Sequence, residues 1–167
     1  MRRRASSRDG RALACNIVRD SISQGVRLVL DTNVMVAAIR SDAGASRRLL
    51  RAGLQGRCIL LISVPLMVEY QAVMTRPEHL TASRLSAEDV GALLDAVVSV
   101  AKPVRLAFLW RPLLNDPDDD MVMEAAANGQ AGLLVTFNLR HFGMIGERFG
   151  IRVCSPGEAV RNLERSR

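Results

Sequence analysis

Histidine and cysteine are scarce in this chain, and their scarcity removes several kinds of chemistry. Only His79 and His141 stand beside Cys15, Cys58 and Cys154. Three cysteines, odd in number and widely spaced, fit neither a disulfide framework nor a zinc site. Such usage implies a reducing, cytoplasmic setting. Long apolar runs are also missing. The stretch from Cys58 to Ile62 falls far short of a bilayer span, so no membrane crossing is expected. Lysine is almost absent: of 23 basic residues only Lys102 is a lysine. A GC-rich genome accounts for that skew before phosphate recognition is invoked.

The 167 residues suit one ordinary domain, and 49% hydrophobic with 24% charged residues is globular composition. The net charge of +6 is unevenly placed. Residues 1–26 carry six arginines against Asp9 and Asp20, a balance of +4, which leaves +2 for the remainder. An argument from basicity therefore rests mostly on that arm. Arg19 and Asp20 interrupt any apolar segment of a signal peptide, so residues 1–26 are expected to be a flexible or weakly helical basic arm. The compact domain is expected over residues 27–167.

That domain is organised around Leu28-Val29-Leu30-Asp31-Thr32-Asn33, an apolar run stopped by an acid and two small polar residues. It reads as a buried strand delivering a carboxylate to the edge where ligands bind in parallel sheets. Asp31 could equally cap the following helix. Residues 32–40 and 45–54 read as helices, the second with Leu49, Leu50 and Leu54 on one side and Arg47, Arg48 and Arg51 on the other. Those arginines are either a solvated face or, with Arg40, a phosphate-contacting patch.

Gly53 and Gly56 close that helix, and a second strand runs to Ile62. Ser63 and Pro65 start a helix that carries Glu69 among apolar residues, where a carboxylate needs an ion pair or a cation. Pro77 to Ser86 reads as a connection, Ser86 with Asp89 as a capping box, and Val104 to Leu106 as a short strand. Phe108 to Leu114, with Trp110 and Pro112, is the least legible segment. Next comes the acidic run Asp116-Pro117-Asp118-Asp119-Asp120, in which four acids repel one another unless solvated or bound to a cation. A helix from Asp120 to Asn128, a strand ending at Thr136 and Asn138, a helix or loop at Phe142 to Phe149, a strand Ile151 to Val153 and a helix Pro156 to Leu163 complete the reading.

Alternating strands and helices imply an α/β fold with a parallel sheet between helical layers. Asp31, Glu69, Asp120 and Asn138 can all reach the carboxyl edge of that sheet. Oxygen donors without histidine or thiolate suit hard cations such as Mg²⁺ or Mn²⁺.

Leu-Asp31-Thr32-Asn33, Glu69 in its apolar helix, the acids Asp116 to Asp120 leading into Glu-Ala-Ala-Ala, and Leu-Val-Thr136-Phe-Asn138 together make residues 27 to about 157 resemble the PIN-domain nucleases. The resemblance is especially to the VapC-like toxins of toxin-antitoxin pairs. The resemblance implies a three-layer α/β/α fold with a mainly parallel sheet of four to five strands. It implies metal-dependent endoribonuclease chemistry that leaves a 3′-hydroxyl and a 5′-phosphate. Asp31, Glu69 and Asp120 become the catalytic metal-binding acids, and Thr32, Asn33 and Thr136 substrate-orienting groups.

Asn138 stands where the family often has a fourth acid, so any second cation binds more weakly. Asp116, Asp118, Asp119 or Glu124 could supply the missing charge. Arg40, Arg47, Arg48 and Arg51 are the hypothetical phosphate contacts. An RNA substrate, a small antitoxin and a homodimer are the implied partners. A PIN-like protein that binds RNA or a partner without turnover is the alternative, motivated by Asn138. A phosphatase of the haloacid-dehalogenase type would need a second Asp where Asn33 stands.

Overall fold

The computed structural model describes residues 25–165 except 110, 112, 113, 115 and 116. Most of the expected basic arm, together with Trp110, Pro112 and Asp116, lies outside the described residues. In chain order the elements are β1 (Arg27–Leu30), α1 (Thr32–Arg40), α2 (Ala45–Leu54), β2 (Ile59–Ile62), α3 (Val64–Met74), α4 (Pro77–Ser83) and α5 (Ala87–Val100). They continue with β3 (Lys102–Pro103), α6 (Pro117–Asn128), β4 (Leu133–Val135), α7 (Leu139–Arg148), β5 (Arg152–Cys154) and α8 (Pro156–Arg165).

Five strands form one sheet in the order β3-β2-β1-β4-β5, with every neighbouring pair parallel. Parallel strands need crossovers, and the helices between them supply these while covering the sheet. Leu28, Val29, Leu134 and Val135 are fully buried, as strands sandwiched between two layers must be. The chain winds outward from β1 through β2 to β3, then returns to β4 on the other side of β1 and ends at β5. The junction of β1 and β4 is thus the switch point of the winding. Diverging crossovers leave a crevice beyond the carboxyl ends of those two strands.

Local chemistry explains where the elements differ from expectation. The third strand comes two residues early: Lys102 and Pro103 pair with Leu61 and Ile62, and Val104 only donates its N–H to the Ile62 carbonyl. Proline is tolerated there because β3 is an edge strand. The expected connection after Pro77 is instead helix α4, since proline at its first position has the right φ and Glu78 complements the dipole. Helix α7 begins three residues earlier than expected, at Leu139.

Ser86 and Asp89 form the expected reciprocal capping box on α5. Of the two glycines read as closing α2, Gly53 lies inside it against the Leu60 side chain, where a Cβ would fall within 2.6 Å of a leucine carbon. Gly56, at φ +70, makes the left-handed turn that L side chains resist. No described helix is long and apolar enough to cross a membrane.

Candidate active site

A cavity of about 610 Å³ opens at the β1–β4 switch point. Helix α1 lines it with Asn33, Val36, Ala37 and Arg40. These positions recur at three- and four-residue spacing and so form one stripe of the helix. Helix α3 contributes Glu69 and Val73 by the same spacing, and Arg76 and His79 follow at the start of α4. Asp31 and Thr32 come from the end of β1, Asp118 and Asp119 from the start of α6, and Phe137 and Asn138 from beyond β4.

Asp31 stands one residue past β1, where its N–H still donates to the Val135 carbonyl at 2.9 Å and extends the pairing with β4. It occupies the N-cap position of α1, yet its side chain makes no capping hydrogen bond. The Thr136 hydroxyl instead donates to Asp31 Oδ2 at 2.6 Å, across the two central strands. Burial pushes the Asp31 carboxyl above its ordinary range, the Thr136 hydrogen bond opposes that, and the charge of Asp119 adds to it. The nearby N–H groups of Asn33 and Thr32 pull it down.

Tyr70 is also buried, and its hydroxyl donates to the Leu30 carbonyl. This bond fixes α3 to the last residue of β1 and sets the neighbouring Glu69, half-buried, over the cavity.

The acidic run divides its labour between two faces of α6. Asp119 is buried, lines the cavity, and holds His141 Nδ1 at 3.1 Å. Asp120, expected to be the third acid of the site, is buried beside Asp119 and is not among the residues on the cavity wall. Its Oδ1 accepts from the Leu114 N–H at 2.8 Å. Glu124 and Asn128 continue that stripe. Glu124 is wholly buried and binds Arg111 through both carboxylate oxygens, while Asn128 accepts from the N–H groups of Ala107 and Phe108.

Asp120, Glu124 and Asn128, four residues apart, therefore fasten the loop that was least legible. Asp119 is rotated about 100° from them at 3.6 residues per turn and looks into the cavity. Of the acids that could supply the missing charge, Asp118 and Asp119 reach the site and Glu124 is committed to Arg111.

The arginines separate in a similar way. Arg47 pairs with Asp42 at 2.9 Å, and Arg48 with Glu164 of α8 at 2.5 Å. Neither arginine lines the cavity. The cations on the cavity wall are Arg40 and Arg76, with His79 beside them. Arg40 was named from the sequence, whereas Arg76 and His79 were not, because their segment read as a connection.

Among the described residues no three His, Cys, Asp or Glu side chains converge tightly enough to form a metal cage. The donor chemistry still fits a hard cation. Asp31 and Asp119 repel one another, and Glu69, Asp118 and Asn138 add oxygen donors to the same cavity. Mg²⁺ keeps several waters and takes one or two carboxylates plus substrate phosphate, so a closed cage is not required.

A family model described as PIN domain matches residues 27–140. No curated protein matches the chain. Among solved structures the chain is similar to VapBC2 from Rickettsia felis bound to a DNA fragment from their promoter. That match has a TM-score of 0.54 and 17% identity, covering 78% of this chain and 98% of that one. A likeness at that identity concerns the fold.

Proposed function

The chain belongs to the PIN-domain family, and on that premise we propose that it is a divalent-metal-dependent endoribonuclease, the toxin of a toxin-antitoxin pair. The observation that carries the reading is Asp31: a desolvated carboxylate, gripped by Thr136 and facing Asp119, at the switch point of the sheet. Asp31, Asp119 and Glu69 hold Mg²⁺ or Mn²⁺, with Asn138 as a neutral donor. Asp120, the acid first expected in that set, has a structural part. When bound, the cation supplies an activated water and positive charge against the phosphate.

The chain's own residues do the remaining work. The Thr136 hydrogen bond favours the ionised form of Asp31 against the opposing effect of burial and fixes the direction of its carboxylate. Arg40 and Arg76 bind phosphates on the flanking wall, a part first assigned to Arg40, Arg47, Arg48 and Arg51. Thr32 and Asn33, at the start of α1, orient the substrate. The products are a 3′-hydroxyl and a 5′-phosphate.

A small antitoxin covering the acidic cavity is proposed by analogy with the similar structure, itself named as a VapBC2 complex. Self-association as a homodimer is supported by α3, whose Val64 and Val68, one turn apart, are 77% and 61% exposed. Cytoplasmic action fits the buried, unpaired Cys58 and Cys154.

The test is cleavage of RNA with and without Mn²⁺ by wild type, Asp31→Asn and Asp119→Asn. Mn²⁺-dependent cleavage lost in both variants is the expected result, and equal activity in all three refutes the site. The rival reading, an RNA- or partner-binding protein without turnover, draws on neutral Asn138 and on the open acid arrangement. RNA binding with no cleavage in Mn²⁺ would establish it.

A further inference from the structure

Phe137, just after β4, has a placement that neither packing nor metal chemistry explains. Leu134, Val135 and Thr136 are fully buried, and Phe142 fills the core beneath α7, yet Phe137 is 53% exposed. It lines the acidic cavity and also a second cavity of about 430 Å³, whose other walls are Asn138, Leu139, Arg140 and His141. The two spaces therefore share a wall made of Phe137 and Asn138.

The backbone around the ring is fixed. Thr136 Oγ1 donates to Asp31 and at the same time accepts from the Asn138 N–H at 2.9 Å, closing a turn with Phe137 at its apex. One hydroxyl thus sets both the direction of the carboxylate and the place of the ring. An aromatic face beside an exposed arginine is the equipment with which proteins hold an unpaired base and its phosphate.

We infer that Phe137 and the smaller cavity form a nucleobase subsite, in which an unpaired base of the RNA stacks on the Phe137 ring beside the phosphate to be cut. Arg140 holds the adjoining backbone. The inference rests on the nuclease reading and goes beyond it by saying where a base is bound. Bases leave a duplex only at a cost, so the subsite selects loops and single strands over paired RNA.

The experiment uses an unstructured RNA carrying 2-aminopurine at successive positions, bound in Ca²⁺ and cleaved in Mn²⁺. Wild type is expected to change the fluorescence at one position near the cut. Phe137→Ala should abolish that change and raise KM about tenfold, with kcat altered less than threefold. Phe137→Leu should behave as the alanine variant does, and Phe137→Trp should restore wild-type values. An abasic nucleotide at the same position should weaken wild type by the same factor and leave Phe137→Ala unaffected.

If Phe137→Ala and Phe137→Leu match wild type while Asp31→Asn stops cleavage, the subsite is refuted and the nuclease reading stands. If Asp31→Asn cleaves like wild type, the nuclease reading fails. The Ca²⁺ binding arm then judges the subsite alone: no position-specific signal that depends on Phe137 overturns it.

Discussion

The Thr136 hydroxyl donates to Asp31 Oδ2 at 2.6 Å, joining residues 105 positions apart in sequence across the two central strands. The bond opposes the rise that burial imposes on the Asp31 carboxyl. Thr136→Val keeps the shape and removes the donor. Its acidic limb in a pH–rate profile should move to higher pH, and kcat should fall about tenfold or more, whereas Thr136→Ser should stay near wild type. An unmoved acidic limb in the valine variant would count against this role.

Asp119 and Asp120 are sequence neighbours with separate partners, and single substitutions should separate their roles. Asp119→Asn should lose cleavage while thermal unfolding changes little. Asp120→Ala leaves the Leu114 N–H without its acceptor and should cost about 1–2 kcal/mol, a fall in Tm of a few degrees. Part of its activity should survive. Paired calorimetry and Mn²⁺-dependent cleavage measure both, and the reverse pattern would restore Asp120 to the site.

The raised Asp31 carboxyl has a consequence for stability. A carboxyl that binds its proton more tightly when folded stabilises the protein fully below its ordinary value of 3.8. That contribution is lost as pH rises through the folded value. Near neutral pH and without divalent cations, Asp31→Asn should therefore unfold at a higher temperature, by about 2–4 °C if the gain is about 1 kcal/mol. Mn²⁺ should raise the Tm of wild type and not of the variant. Thermal melts at pH 7 with chelator and with Mn²⁺ decide the matter, and an equal Mn²⁺ response would sink it.

Arg111 ties its loop to the fully buried Glu124. Arg111→Ala strands that carboxylate, at a cost of about 1–3 kcal/mol after allowing for the exposure of the arginine end. Denaturant unfolding of Arg111→Ala beside Arg111→Ala/Glu124→Leu should show the double variant recovering much of the loss, because the unpaired buried charge is gone. No recovery would mean that the ion pair is not what fastens the loop.

Burial pushes the Cys58 and Cys154 thiols up to about 11. Thiolate is the reactive form, so neither should be alkylated in the native protein at pH 8, and both should react after denaturation. Mass spectrometry of each cysteine-bearing peptide reads the result.

The sequence by itself determined the α/β class, the parallel sheet and the carboxylate at the end of β1. Those follow from local hydrophobic runs and their abrupt polar stops, which are properties of neighbouring residues. Ser63, Ser86 and Asp89 were legible for the same reason: a cap is recognised a few residues from what it caps.

Which of Asp118, Asp119 and Asp120 line the cavity was decided by tertiary structure alone. A step of one residue turns a side chain about 100° around a helix, and three adjacent acids give no hint of phase. The stripe of Asp120, Glu124 and Asn128 held that information, but only contact with the loop from Ala107 to Leu114 gave it meaning. The same limit applied to the arginines. Arg47 and Arg48 read as a basic face until Asp42 and Glu164 engaged them, while Arg76, His79 and Phe137 gained significance from a cavity built by segments far apart in the chain.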